Sequence, residues 1–163
     1  MLQPVGNLQN RFFDYTGEVE REAGAELAYL ADRSAADWEA ITERAETRLF
    51  HPGETIAAAG EQDQALYLLV EGLVGAVLPG GEQPFKEFDA PTVLGEVAFL
   101  DRGPRSATLV ALTDCELLRL SMQAFEVLAA HHPDLGRAIL LDLGRILARR
   151  LRHSTDLLGH GPG

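Results

Sequence analysis

Two side chains nine residues apart, Glu96 and Arg105 in "LGEVAFLDRGPRSATL", have the types needed to hold a small anion that also carries hydroxyl groups. A guanidinium keeps its charge at any physiological pH and offers a planar fork of donors that grips two oxygens of one phosphate. Arg105 follows Gly103-Pro104, where the proline fixes the approach to a new strand, and Ser106 adds a hydroxyl while Ala107 leaves room beside its N–H. Glu96 is the informative oddity: an ionised carboxylate only accepts hydrogen bonds, so it repels phosphate unless it faces a donor, and a ribose hydroxyl is such a donor. The segment "GEVAFL" reads as one or two helical turns inserted between strands. Gly95 lets the backbone come close to a ligand, and the N–H groups of Glu96, Val97 and Ala98 point outward at the positive end of the turn. Val97, Phe99 and Leu100 are expected to anchor that turn to the core. One carboxylate for a sugar and one arginine for a singly charged phosphodiester, close together, describe a nucleotide whose phosphate folds back on its ribose, a cyclic nucleotide.

The elements that must position this stretch are legible on both sides of it. From about residue 46, short apolar runs alternate with turn residues at Pro52-Gly53, Gly60, Glu71-Gly72 and Pro79-Gly80-Gly81, and "RSATLVALTD" and "CELLRL" give two more strands around a turn at Thr113-Asp114. Strands at such spacing predict a barrel or sandwich from about 46 to 120. Before it, Ser34 caps a short helix over about 34–46, with Asp37 in capping-box position and Trp38 and Ile41 on one face. After it the period changes from two to 3.6. Ser121 caps a helix carrying Met122, Phe125 and Leu128, which stops before Pro133. A longer helix follows from about 134, with Leu135, Ile139, Leu143, Ile146, Leu147 and Leu151 on its apolar face and Arg137, Asp142, Arg145, Arg149, Arg150 and Arg152 on a solvated one. The fold class is α+β: an antiparallel β-roll, jelly-roll-like or a double-stranded β-helix, with a short N-terminal helical segment and C-terminal helices.

Composition removes several classes of function. The chain has 163 residues and a formal net charge of −11, so no basic field draws phosphate polymers or anionic membranes, and any phosphate it binds must be held locally. A single cysteine, Cys115, rules out an internal disulfide framework and a four-cysteine zinc site and suits a reducing compartment. No run of about twenty apolar residues and no signal-peptide pattern is present, so a cytoplasmic protein without membrane insertion is expected. His51, His131, His132, His153 and His160 are scattered over turns, a helix end and the tail, a poor set for the metal site of a cupin. Cys115 has no evident histidine partner, and neither a Gly-x-Ser-x-Gly elbow nor a P-loop occurs, so the reading is against an enzyme, with no catalytic cofactor and no metal.

The residues quoted above resemble the phosphate-binding cassette of the cyclic nucleotide-binding domain family, which includes the cyclic-AMP receptor protein, protein kinase A regulatory subunits and nucleotide-gated channels. That cassette is a Gly-Glu pair followed after eight residues by Pro-Arg, a small residue, Ala and often Thr, matched here by Gly95, Glu96, Pro104, Arg105, Ser106, Ala107 and Thr108. Upstream, "GEQDQALYLLVEG" is similar to the family's strand-turn signature through Gly60, Leu66, Tyr67, Leu68, Leu69 and Gly72, with a departure at Asp63, where the family usually has a small residue, and at Gln64, where it has an acidic one. The resemblance implies that Glu96 binds the ribose 2′-hydroxyl, Arg105 the cyclic phosphate and Ser106 a phosphate oxygen or the base, with backbone contacts from Gly95, Val97, Ala98 and Ala107. It implies further that the final helix closes over the base, with Leu143, Ile146 or Leu147 capping the purine. Serine at position 106 goes more often with cyclic AMP than with cyclic GMP.

The expected organisation is an N-terminal extension over 1–33, a cyclic nucleotide-binding domain over 34–152 and a flexible tail over 153–163. Leu8, Phe12, Phe13 and Tyr15 are read as packing on a neighbour, and "GEVEREAGAE" as a solvated acidic segment or weak helix. The partners are a small cyclic nucleotide and an effector that no motif names; the heptad-like stripe of Leu140, Leu143, Leu147 and Leu151 reads as core ahead of a seam for a second copy. Direct nucleic-acid contact is not expected, since no helix-turn-helix follows the long helix. The alternative is a degenerate domain of the same fold that serves as a protein-interaction module without nucleotide.

Overall fold

The structure, a computed structural model, describes residues 20–22, 29–30 and 32–159. Leu8, Phe12, Phe13 and Tyr15 lie outside the described residues, as does the end of the tail from 160. Nine strands and four helices follow one another in the described chain: β1 (Glu20–Glu22), α1 (Ala35–Thr42), β2 (Glu46–Phe50), β3 (Thr55–Ala57), β4 (Leu66–Glu71), β5 (Leu73–Val77), β6 (Lys86–Asp89), β7 (Thr92–Leu94), α2 (Glu96–Asp101), β8 (Thr108–Ala111), β9 (Cys115–Leu120), α3 (Met122–His131) and α4 (Pro133–Gly159). The strands form two sheets, ordered β1-β6-β5-β8-β3 and β2-β9-β4-β7, which face each other as a roll.

The glycine turns sit where the roll reverses. Gly53, Gly60, Gly72, Gly80 and Gly95 all have positive φ, and at Gly72, with φ of 104°, an added Cβ would lie 2.7 Å from the Cys115 Sγ. Strand β4 reads as an unbroken apolar run because both of its faces are covered. Leu66 and Leu68 join Ile41, Phe99, Leu120, Leu128, Ile139 and Leu143 in a core beneath the helices, whereas Tyr67 and Leu69 join Val74, Phe88, Leu94, Leu109 and Leu117 inside the roll. The two cores share one sheet, so the helices and the interior of the roll pack on opposite faces of the same strands.

The caps follow the sequence pattern. The Ser34 hydroxyl accepts from the Asp37 N–H at 3.1 Å and the Ser121 hydroxyl from the Ala124 N–H at 3.0 Å, each satisfying a donor that helix geometry leaves free. Three expectations change. Residues 20–22 of the acidic N-terminal segment form a strand, parallel to β6 with Glu22 opposite Phe88, rather than a solvated stretch or a helix. Helix α4 runs on to Gly159, so the expected tail is helical for most of its length. The stripe on that helix is divided, with Leu143 fully buried in the core while Leu140 and Leu151 are exposed.

Candidate functional site

Tyr67 of β4 sets the geometry. In the sheet it stands opposite Leu94 of β7 on one side and Arg119 of β9 on the other. Leu94 ends its strand against the turn at Gly95, so this row of the sheet delivers the start of α2, an aromatic ring and an arginine to one place.

The Arg105 guanidinium lies above the Tyr67 ring, 5.2 Å from its centroid, and is almost wholly buried. Its Nη2 donates to the Ala65 carbonyl at 2.6 Å and its Nη1 to the Gly95 carbonyl at 3.2 Å. Asp63, the position that departs from the family pattern, meets Nη2 at 3.3 Å, and it also accepts from the Tyr67 hydroxyl at 3.0 Å and from Arg119 Nη2 at 3.0 Å. Burial alone would raise the carboxyl of Asp63, but the Ala65 N–H, Arg105, the Tyr67 hydroxyl and Arg119 outweigh it and hold the pKa at about 2. Gln64 turns away to donate to the Arg102 carbonyl at 2.8 Å, and the acidic group that steadies the arginine here is Asp63. Asp63 thus bridges two arginines, Arg105 and Arg119, within a chain that is strongly negative.

The Nε of Arg105 is buried and has no hydrogen-bond partner among the described residues. A buried cationic donor left unmatched is costly, and it is the kind of atom that a ligand oxygen satisfies. Gly95 is required at this point for two reasons: its φ is 77°, and a Cβ there would come within 3.2 Å of the Arg105 Cζ and 3.1 Å of the Ala65 carbonyl.

Helix α2 is six residues long, and the N–H groups of Glu96, Val97 and Ala98 open its first turn. Phe99 anchors it: the ring is fully buried and meets Phe125 of α3 edge to face, with centroids 5.3 Å apart. Val97 and Leu100, expected as further anchors, are 40% and 38% exposed. They lie three residues apart on one side of a short helix, and Phe99 takes the other side. A cavity of about 170 Å³ is lined by all seven predicted site residues, Gly95, Glu96, Val97, Ala98, Arg105, Ser106 and Ala107, with Phe85, Phe88, Leu94 and Leu109 as its apolar wall.

Glu96 is buried and is met by a residue that sequence reasoning placed in solvent. Arg150 of α4 reaches the site, and its Nη1 lies 2.8 Å from Glu96 Oε1. The same guanidinium donates through Nε and Nη2 to Glu22 at 2.9 and 2.8 Å and through Nη2 to the Val93 carbonyl at 2.9 Å, over the face of Phe88. Burial disfavours its charge, but the two carboxylates more than compensate. Nothing local distinguishes Arg150 from its exposed neighbours Arg149 and Arg152, since its partners lie 54 and 128 positions away in the chain. Of Leu143, Ile146 and Leu147, offered as lids for a base, the first two belong to the core beneath the helices, and none of the three lines the cavity.

No group of three or more His, Cys, Asp and Glu side chains placed to hold a metal occurs among the described residues, and no described helix is long and apolar enough to cross a membrane.

The roll, the inserted turn and the buried arginine above Tyr67 together define a family of domains. The cyclic nucleotide-binding domain matches residues 47–132, just over half of the chain, and the chain belongs to that family. It is 36% identical over 117 residues to the cyclic AMP receptor protein of Thermus thermophilus, covering 68% of this chain and 52% of that one. It is 33% identical over 146 residues to Glutaminase 2 of Bradyrhizobium diazoefficiens, covering 86% of this chain and 22% of that protein. A crystal structure of a cyclic nucleotide-binding domain from Methylobacillus flagellatus superposes with a TM-score of 0.72 at 25% identity, over 80% of this chain and 75% of that one. The chain thus spans between about a fifth and a half of the length of these two curated relatives.

Proposed function

We propose that this domain is a sensor that binds a cyclic nucleotide, cyclic AMP ahead of cyclic GMP, in the cavity between α2 and the strand that follows Arg105. The observation that carries this reading is the buried Arg105 Nε, a cationic donor without a partner among the described residues, in a cavity that also holds the first N–H groups of α2 and the Glu96 carboxylate. The cyclic phosphate meets Arg105, the Ser106 hydroxyl and the backbone of Val97, Ala98 and Ala107, and Glu96 accepts from the ribose 2′-hydroxyl. At about 170 Å³ the cavity is smaller than the roughly 300–1,000 Å³ of sites that engulf a whole small molecule, so it suits the sugar-phosphate and leaves the base at the mouth, beside exposed Val97. Ser106 favours cyclic AMP only by the family resemblance.

The role is regulatory rather than catalytic, in a reducing, cytoplasmic setting, as a freestanding module or as part of a longer protein. Contact between Arg150 of α4 and Glu96 gives the ligand a route to the C-terminal helix, since any nucleotide that prefers one arrangement of this pair shifts the helix by that preference. Isothermal titration of nucleotide-stripped protein with each cyclic nucleotide tests the reading. Saturable binding is expected in the wild type, with a loss of about 2–5 kcal/mol in Arg105→Ala. Arg105→Lys, which keeps the charge but not the fork, is expected to fall between. A folded, stripped wild type that gives no heat with either nucleotide contradicts the proposal and favours the interaction module.

A further inference from the structure

The N-terminal strand β1 lies outside the segment that matches the family, yet it brings a carboxylate to the nucleotide site. Glu22 is only 8% exposed and sits between the cations Arg150 and Lys86, at 2.8 and 3.4 Å, with the Thr92 hydroxyl donating to it at 3.2 Å. Arg150 is thereby shared. Two of its nitrogens, Nε and Nη2, serve Glu22, and the third, Nη1, serves Glu96 through Oε1. The two carboxylates and two cations balance, which is what permits four charged groups to be held together in a largely buried place.

We infer that Glu22 is a positioning residue for ribose recognition: by holding the Nε edge of Arg150 it fixes the Nη1 that orients Glu96, so that the second oxygen of Glu96 is presented to the 2′-hydroxyl. The inference rests on the nucleotide reading above. Without Glu22, Arg150 keeps its Nη2 bonds to the Val93 carbonyl and the Thr92 hydroxyl but loses the partner that holds its Nε edge, so the Nη1 that orients Glu96 is less firmly fixed. A carboxylate free to rotate contributes less to a hydrogen bond whose geometry must be met on binding. The N-terminal segment therefore sets how strongly the site distinguishes a ribose from a 2′-deoxyribose, although β1 is remote from the cassette in sequence.

The test is a cycle between protein and ligand. The affinities of cyclic AMP and 2′-deoxy cyclic AMP are measured for wild type, Glu22→Gln, Glu22→Asp and Glu96→Gln, with cyclic GMP and its 2′-deoxy form substituted if that is the nucleotide bound. Wild type is expected to prefer the ribose form at least about tenfold, the size of one well-placed charge-assisted hydrogen bond. Glu96→Gln should abolish most of that preference. Glu22→Gln should reduce that preference at least about threefold, beyond any change in affinity common to both forms, and Glu22→Asp should fall between. A general structural role would weaken both ligands alike, and that outcome overturns the inference, as does a preference unchanged from wild type. Should Glu22→Gln not fold, the preference of Glu22→Asp decides alone: a fall supports the inference and an unchanged value overturns it. A wild type that binds neither form overturns the nucleotide reading, and the inference with it.

Discussion

At the scale of single residues, the site is an exercise in charge placement. Arg105 sits in a low-dielectric setting that Asp63 makes tolerable, and Asp63 in turn depends on Arg105 and Arg119. Its folded pKa, about 2, lies below the ordinary 3.8, so the stability it contributes is fully present above pH 4 and is lost as the pH falls toward 2. Asp63→Asn should cost about 1 kcal/mol at pH 7, allowing for partial solvent screening, and should flatten the decline of stability between pH 4 and pH 2. Urea titrations of both proteins at pH 2, 3, 4 and 7 would check this; equal declines in the two would refute it. Glu96 and Arg105 were legible because their residue types are chemically odd neighbours in an apolar stretch. Arg150 and Glu22 were not, because each looks like an ordinary solvent-facing charge until the fold brings them together.

At the scale of elements, the short helix α2 depends on a glycine and a phenylalanine. Gly95 holds a left-handed backbone where a methyl group would press on the Arg105 guanidinium, so Gly95→Ala should lose about 1–2 kcal/mol from the backbone alone and should weaken nucleotide binding by moving the arginine. Phe99→Ala removes the ring that joins α2 to α3 and should cost about 3–5 kcal/mol in chemical denaturation. A value below 1 kcal/mol would show that the turn is held by its backbone instead. The strands and capped helices could be read from turn glycines and from the serines at positions 34 and 121, because these signals are local. Strand β1 could not: three polar residues carry no alternation, and the strand exists through pairing with β6, more than sixty positions later. The exposure of Val97 and Leu100 was missed for a related reason, since six residues are too few for helical periodicity to assign a face.

At the scale of the whole molecule, the site joins three parts of the chain: the roll that carries Arg105, the C-terminal helix through Arg150, and the N-terminal segment through Glu22. Leu30 adds a tie between the last two, its N–H donating to Asp142 of α4 at 3.0 Å. A ligand that meets Arg105 and Glu96, and through Glu96 is linked to Arg150 and Glu22, should stabilise the three parts together. At a free nucleotide concentration one hundred times its dissociation constant, linkage predicts about 2.7 kcal/mol of added stability, a rise in melting temperature of about 5–10 °C for a domain of this size. Hydrogen exchange should slow in the C-terminal half of α4 as well as in α2. Slowing confined to α2 would mean that the helix does not read the site.

The most direct measurement follows the Arg105 Nε–H itself. In a two-dimensional proton–nitrogen spectrum, with the resonance assigned by its absence from Arg105→Lys, saturation with cyclic AMP is predicted to move the Nε proton strongly downfield and to slow its exchange with water, as expected when a buried donor takes up a phosphate oxygen. A resonance that stays where it was while the nucleotide binds would contradict the account and place the phosphate elsewhere.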